Sequence, residues 1–299
     1  MNKREQQAAA MVAHVIELME TKGVDWSSGW KDMGVRPHNV HSGHVYTGWN
    51  SFWLAMMGAS HVSTFKGWQA LGYSCKGLSG KGITVTQPRP RFEENEKGES
   101  VQVGMFWKAI TVFRAQDVKH FETGEPYVPA DIVEAVDKTE ILERADEFFQ
   151  AVGVEIIHSS TEGAYYSPKD DHIVMPMRER FEGTATSSPT ECYYSTLAHE
   201  AIHFTGHKSR LDRLSEYGTK AGRAREELIA EFGSILLSQE LGIEAEPRED
   251  HAAYLEGWLK ALKGKNAFQY LTQAAGAAQE AIEELEKIAG VTTSVKKAA

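Results

Sequence analysis

Two histidines and a glutamate lie within five residues in the second half of the chain, in the stretch His199-Glu200-Ala201-Ile202-His203. Residues four apart share one face of an α-helix, so both histidine rings can direct a nitrogen at one metal ion. Glu200 lies beside them and can take a proton from water whose pKa the ion lowers. The spacing predicts a hydrolytic metal site with Glu200 as general base and a polarised carbonyl as the target.

A third metal ligand is expected from the next amphipathic segment, "REELIAEFGSILLSQELG", which carries three glutamates near its start. Glu227 and Glu231 are four apart on a face that continues into apolar residues, and an inward carboxylate is costly unless it meets a cation or a donor. We predict Glu227 as the third ligand and Glu231 as the residue that orients a histidine, with the reverse assignment left open. Glu226 is rotated away and is predicted to be solvated.

His207 is a weaker alternative ligand. On one straight helix His199 and His207 would be about 12 Å apart, whereas the ligands of a single ion must converge. Gly206 is expected to end the helix, which favours a capping or surface role for His207 over ligation.

The elements that must position these side chains form a mainly helical second half. Hydrophobic periodicity predicts helices over residues 141–152, 189–204, 224–241, 251–262 and 268–289, and strands in "VEIIHSS" and "DHIVMP". A helix is also predicted from the start of the chain to about residue 23, and the segment 123–132 is a candidate linker. We predict an α+β protein with a mixed α/β domain over 1–130 and a mainly helical domain with a small sheet over 131–299. The tail 291–299 is expected to be disordered.

The first half differs from the second in composition and in predicted elements, with short strands and many tryptophans. The segments "GKGITVTQPRPRF" and "VGMFWKAITVF" read as strands joined across an acidic loop. Between residues 31 and 91 there are seven basic residues and one acidic residue. Aromatic rings interleaved with cations are typical of proteins that bind single-stranded nucleic acid. Six of the seven tryptophans lie in this half: Trp26, Trp30, Trp49, Trp53, Trp68 and Trp107.

The charge balance of the whole chain separates the same two parts. The 299 residues carry a formal charge of −10, but residues 1–130 contribute +2 and the remainder −12. An acidic surface argues against non-specific nucleic-acid binding by the molecule as a whole, and the basic window marks the face that is expected to meet phosphate. Cys75 and Cys192 have no framework spacing, and no stretch approaches the length of a membrane span. A cytoplasmic protein is therefore expected.

Several sequence blocks follow one another along the chain. The first half has Pro37, Asn39, Tyr46, Gly48 and Asn50, followed by "STFKGWQALGYSCKGLSGKG" and "ITVFRAQDV". The second half has "YYSTLAHEAIHFTGHKSRLDR", "REELIAEFGSILLSQELGI", "YLEGWLKALK" and "AAGAAQEAIEEL". In content and order these blocks resemble the ArdC-type antirestriction proteins of conjugative plasmids. The family's usual Pro-Trp opening is replaced by "DWSSGW", and a tryptophan expected before Thr64 is absent, which affects individual stacking residues rather than the domain.

The resemblance implies a single-stranded DNA-binding domain followed by a metallopeptidase-like domain that holds one divalent ion, Zn²⁺ or alternatively Mn²⁺. The expected role is to bind single-stranded DNA without strong sequence preference and to protect incoming plasmid DNA from host restriction. A restriction component is a candidate protein substrate. The alternative is a protein that binds metal but does not hydrolyse, and that coats DNA or occludes a restriction enzyme. The candidate DNA-contacting residues are Arg36, Asn39, Tyr46, Trp49, Asn50, Lys66, Trp68, Lys76, Lys81, Arg89 and Arg91.

Overall fold

The computed structural model describes residues 3–22, 36–94, 99–129, 138–183, 187–243, 258, 260–264 and 266–291. The expected strands of the first half are present as a long hairpin, and the predicted N-terminal helix is confirmed. The elements of this half are α1 Lys3–Lys22, β1 His38–Asn39, α2 Gly48–Met56, β2 His61–Thr64, α3 Phe65–Ala70, β3 Tyr73–Ser74, β4 Ile83–Glu94, β5 Ser100–Arg114 and β6 Lys119–His120.

The first half is built on a four-stranded sheet in the order β1-β2-β5-β4. Strand β1 is parallel to β2, and the other two pairings are antiparallel. Strands β3 and β6 form a separate two-stranded sheet. A small apolar cluster lies beside it and comprises Trp68, Cys75, Leu78, Ala115 and Val118.

The second half is mainly helical, as predicted. Its elements are α4 Lys138–Val152, β7 Ile156–Ser159, β8 Tyr165–Ser167, β9 His172–Pro176, α5 Pro189–Thr205, α6 Lys220–Leu241 and α7 Ala267–Ala289. The three strands form one sheet in the order β7-β9-β8, so β8 is an edge strand. Helix α6 starts four residues earlier than expected because the side chain of Thr219 caps it by accepting a hydrogen bond from Gly222 N.

Parts of three predictions fall outside the described residues. Of the helix expected over 251–262, the structure describes position 258 and positions 260–262, which are helical. Of the tail, residues 292–299 lie outside the described part, and so do residues 130–132 of the candidate linker. No described helix has the length and apolar character needed to cross a membrane.

One apolar core joins the two halves of the chain. Helix α2 lies early in the sequence, yet its Phe52 ring packs against Phe232 of α6 with ring centroids 3.9 Å apart. Trp49 of α2 contacts Phe268 of α7 edge to face, with centroids 5.7 Å apart. These residues belong to the same buried cluster as the interior of α5, α6 and α7. The helices of the second half are therefore stabilised in part by a helix of the first.

Candidate functional site

Helix α5 carries the two histidines into the interior. A capping box fixes its start, because the Ser188 side chain accepts from Glu191 N while the Glu191 carboxylate accepts from Ser188 N. His199 and His203 then lie one turn apart, and their Nε2 atoms are 3.2 Å from each other. Both side chains are buried, so their nitrogens face a protein-lined site rather than bulk water.

Helix α6 brings Glu227 to the same point. Its Oε2 atom lies 3.4 Å from His199 Nε2 and 3.6 Å from His203 Nε2. Four ligands at the bond lengths of a tetrahedral zinc site are about 3.4 Å apart, so the three atoms fit three corners of such a site. Among the residues that the structure describes, this is the one His/Cys/Asp/Glu group found with all its ligand atoms within 4.8 Å.

The close approach of α5 and α6 depends on a glycine. A Cβ atom on Gly233 of α6 would lie 2.7 Å from Cδ1 and Cγ1 of Ile202, which is fully buried on α5. The absence of a side chain at this position lets the two helices pack tightly at the level of the site.

Glu226 is buried beside His203, whereas a solvated side chain was expected. It is 3% exposed, and its Oε1 atom lies 3.2 Å from His203 Nδ1. Arg213 donates to both carboxylate oxygens, at 2.8 Å and 3.2 Å. The prediction that Glu226 is solvated was wrong, because the loop after α5 folds back and brings Arg213 against the start of α6. Arg213 is anchored there by donating to the carbonyl oxygen of Ile202 at 2.8 Å.

Tyr217 was not predicted and lies beside the same carboxylate. Its hydroxyl donates to Glu227 Oε1 at 3.1 Å, which leaves Oε2 directed at the two histidines. Tyr217 follows a short 3₁₀ turn, Leu214–Glu216, between α5 and α6. Sequence spacing gave no signal for it, because the turn that aims its ring exists only in the folded loop.

The buried carboxylates of the site favour a positive charge between them. Burial by itself lowers the pKa of His203, but hydrogen bonds with Glu226 and Glu227 outweigh burial and raise that pKa to about 10. Burial also raises the pKa of Glu227, and contacts with His199 and His203 reverse this and lower it below its usual range. Two buried carboxylates thus hold a positive charge between them, and a metal ion could supply that charge in place of the proton.

Glu200 and the three clustered residues line one cavity of about 130 Å³. Its walls also include Ala164, Tyr165, Tyr166, Pro168, Leu214 and Tyr217. The edge strand β8 therefore forms one side of the cavity. Glu200 is 2% exposed, and its position next to His199 on the helix places its carboxylate beside the space that a reactant would enter.

The two alternative ligands lie apart from the three-residue cluster. Glu231 is buried one turn farther along α6 and is not part of the group. His207 lies beyond the end of α5, where its Nδ1 atom is 2.7 Å from Ser209 Oγ and 3.9 Å from Asp171 Oδ2.

Three aromatic residues expected to contact DNA are buried instead. Trp68 is 0% exposed and its Nε1 donates to the carbonyl oxygen of Phe113 at 2.9 Å. Trp49 and Tyr46 are each 6% exposed. Their burial conflicts with the expectation that these residues contact DNA, because a small fold uses its largest rings to build the core. Trp26 and Trp30 lie outside the described residues.

Two asparagines and one arginine among the candidate DNA contacts also have partners within the protein. The side chain of Asn50 pairs with both backbone groups of Thr86, at 2.6 Å and 2.9 Å. Asn39 Oδ1 accepts from the backbone nitrogens at 41 and 42. Arg36 forms ion pairs with Glu240 of α6 and Glu286 of α7, and its side chain is 15% exposed. These contacts within the protein position loops and helices, and they are the roles that the structure shows for the three side chains.

The other predicted cations remain at the surface. Lys66, Lys76, Lys81, Arg89 and Arg91 are exposed. Arg91 pairs with Glu93 at 2.5 Å. Trp107 is 56% exposed and is the exposed tryptophan of the described residues. The first half therefore has a surface that carries cations and at least one exposed aromatic ring.

Comparison with known proteins matches each half separately. A profile of the N-terminal domain of anti-restriction factor ArdC matches residues 5–119, and one of a zincin-like metallopeptidase matches residues 143–277. An uncharacterized protein of Sinorhizobium fredii, y4eC, is 30% identical over 270 residues, which cover 85% of this chain and 83% of that protein. The DNA primase TraC of Escherichia coli is 29% identical over 270 residues, but these cover 18% of the primase.

Solved structures extend the match over the whole chain. The metal-free crystal structure of the antirestriction protein ArdC from plasmid R388 has a TM-score of 0.71 and 32% identity, and covers 97% of this chain and 98% of that one. Its Mn(II)-bound structure has the same identity and coverage with a TM-score of 0.67. Since both halves match in order and the relative is covered almost completely, the chain belongs to the ArdC antirestriction family, with an ArdC-type N-terminal domain and a zincin-like metallopeptidase domain.

Proposed function

We propose that this protein is a divalent-metal-dependent hydrolase of the peptidase type that also binds single-stranded DNA, and that it protects incoming plasmid DNA from restriction. The observation that carries the hydrolase part is the convergence of His199, His203 and Glu227 with donor atoms 3.2–3.6 Å apart beside Glu200. Two imidazoles and a carboxylate are the protein ligands of many catalytic zinc sites and leave one position open.

The three ligands would hold the ion, with Zn²⁺ favoured by the donor set and Mn²⁺ by the Mn(II)-bound form of the R388 relative. The ion supplies Lewis acidity, which lowers the pKa of water and polarises a carbonyl group. Glu200 accepts the proton of the attacking water and returns it to the leaving amine. Glu226 fixes the orientation of the His203 ring, and Tyr217 holds the Glu227 carboxylate.

The DNA-binding part is supported by the exposed cations Lys66, Lys76, Lys81 and Arg89 together with the open ring of Trp107. A segment like this chain also forms part of the DNA primase TraC of Escherichia coli. We place the protein in the cytoplasm, where incoming DNA meets restriction enzymes, and Cys75 and Cys192 are both free thiols.

A second function deserves a test because of the size of the cavity. At about 130 Å³, the space beside the ligands is small compared with a folded protein substrate. A protein with this cavity and no lid movement would hold metal without hydrolysing a folded partner. It would then act by coating DNA or by occluding a restriction enzyme.

Glu200→Gln separates the two functions, with Glu179→Gln, an exposed acid on a neighbouring turn, as the control. We expect Glu200→Gln to bind metal as the wild type does and to lose protection of unmodified DNA in a restricting host. Full protection by Glu200→Gln at equal protein level would refute the hydrolytic function and support the coating function.

DNA binding is tested with the full chain and a labelled single-stranded oligonucleotide over a range of salt concentrations. Phosphate contacts release counterions, so we expect the logarithm of the binding constant to fall linearly with the logarithm of salt concentration. Absence of binding at low salt would remove the DNA-binding part and leave the metal centre untouched.

A further inference from the structure

One face of β5 is left open to solvent. Side chains alternate along a strand, and Val112, buried in the core, lies on the face opposite to Phe113 and Thr111. Trp107, Ala109, Thr111 and Phe113 therefore share the outer face, which we call the β5 outer face. The first three of these residues are exposed and Phe113 is half-buried.

A groove of about 500 Å³ opens at the Phe113 end of this face. Phe65, at the start of α3, forms one wall and is 49% exposed although it is a large apolar ring. Leu78 lies in the lining and is 7% exposed. The groove is therefore apolar at its base, and the exposed aromatic ring of Phe65 lies at its rim. This arrangement suits a flat apolar ligand.

The opposite wall of the groove is a glycine-containing turn. Gly77 and Gly80 have φ angles of +82° and +80°, and a Cβ atom built on either would meet nothing within 4 Å. The positive φ explains why glycine is needed. The open space around both residues leaves the backbone of the turn accessible to a ligand in the groove.

The charged residues that neighbour the groove lining in sequence are basic. Lys66 follows Phe65, and Lys76 and Lys81 flank the turn; all three are exposed. None of the described residues that line the groove is acidic. A ligand with an apolar flat part and a negative part is complementary to this arrangement, and an unpaired nucleotide has both.

We propose that a single strand of DNA runs along the β5 outer face from the groove to Trp107, with one base against Phe65, another on Trp107 and the phosphates beside Lys66, Lys76 and Lys81. This inference rests on the proposed DNA-binding function and specifies its site. Trp107 and Phe113 are six residues apart, which is about 20 Å along a strand and corresponds to a few nucleotides. A duplex does not fit, because its base faces are stacked and cannot reach the rings.

The test compares the full chain with its Phe65→Ala and Trp107→Ala variants, using fluorescein-labelled oligothymidylate of about 12 nucleotides, a length within the usual range of single-strand sites. Phe121→Ala is the matched control, since Phe121 is 56% exposed and does not line the groove. We expect each of the first two variants to raise the Kd about 5- to 100-fold and the control to leave it unchanged. Trp107→Phe should retain most of the affinity because the ring remains.

The lysines are tested separately through salt dependence. We expect Lys76→Ala to reduce the slope of log K against log salt by about 1, with Phe65→Ala leaving the slope unchanged. Thermal unfolding of every variant checks the fold, and the exposure of Phe65 and Trp107 predicts no large change in Tm.

Each outcome bears on one proposal. If the wild type binds the oligonucleotide and both Phe65→Ala and Trp107→Ala bind it equally well, this path is overturned while DNA binding stands. Equal affinity for the single strand and for its duplex would also overturn the path. If the wild type binds neither at low salt, the DNA-binding function itself fails.

Discussion

At the scale of single residues, the metal centre has an inner and an outer set of side chains. His199, His203 and Glu227 point donor atoms at one position, while Glu226 and Tyr217 bind the far side of two of these ligands. Such outer contacts fix the orientation of a ligand before the ion binds. They raise the affinity of the site for the metal without contacting the ion.

Tyr217→Phe tests this arrangement by removing one hydroxyl. We expect the affinity for Zn²⁺ or Mn²⁺, measured by competition with a chelating indicator, to fall about 10-fold, because the Glu227 carboxylate is then free to rotate. Tyr165→Phe is the control, since Tyr165 lines the same cavity but its hydroxyl donates to Glu162. An equal effect of both variants would show that the loss comes from the cavity wall and not from the contact with Glu227.

The sequence supported prediction at this scale where the inward face of a helix decides the geometry, as for Glu227. His199, Glu200 and His203 could be identified because a helix repeats every 3.6 residues. Glu226 was misplaced and Tyr217 was missed, because both depend on how the loop that carries Arg213 folds back on α6. Buried rings were included among the candidate DNA contacts for a related reason, since composition does not distinguish the buried Trp68 from the exposed Trp107.

At the scale of elements, the site exists where α5 and α6 cross. The amphipathic pattern predicted both helices, and their caps at Ser188 and Thr219 set their starts. The two-residue strands β1, β3 and β6 could not be predicted, because pairing with distant segments defines them and no local periodicity marks them.

Gly233→Ala tests whether the spacing of α5 and α6 sets the metal geometry. The added Cβ would press on the buried Ile202 side chain, so we expect a loss of about 1–3 kcal/mol in stability and weaker metal binding. Gly276→Ala in α7 is the control, since nothing lies within 4 Å of its Cβ position. That control is expected to gain up to about 1 kcal/mol from helix propensity and to bind metal normally. Unchanged metal affinity in Gly233→Ala would show that the site tolerates a shift between the helices.

At the scale of the whole molecule, the chain has two family-defined domains but one continuous core. Composition and charge predicted a division of the chain near residue 130. In the structure, however, α2 of the first part packs on α6 and α7. A two-domain organisation could be predicted because composition changes along the chain. The shared core could not, because contacts between distant helices leave no local pattern.

Phe52→Ala tests the shared core. Phe52 is fully buried, and its removal is expected to cost about 3–5 kcal/mol. Because Phe52 packs on the helix that carries Glu227, we expect the metal site and the first half to unfold in one transition at a lower denaturant concentration. The measurement compares release of bound metal with far-UV circular dichroism in one titration. Metal release at the wild-type midpoint would contradict a common core.

The central claim is that His199, His203 and Glu227 form the metal centre. Metal content of the purified protein, with Zn²⁺ and Mn²⁺ titrations of the wild type, Glu227→Ala and Glu231→Ala, tests it most directly. We predict about one ion per chain in the wild type and in Glu231→Ala, and little or none in Glu227→Ala, with all three proteins folded. Retention of the ion by Glu227→Ala together with its loss from Glu231→Ala would contradict the claim and make Glu231 the third ligand.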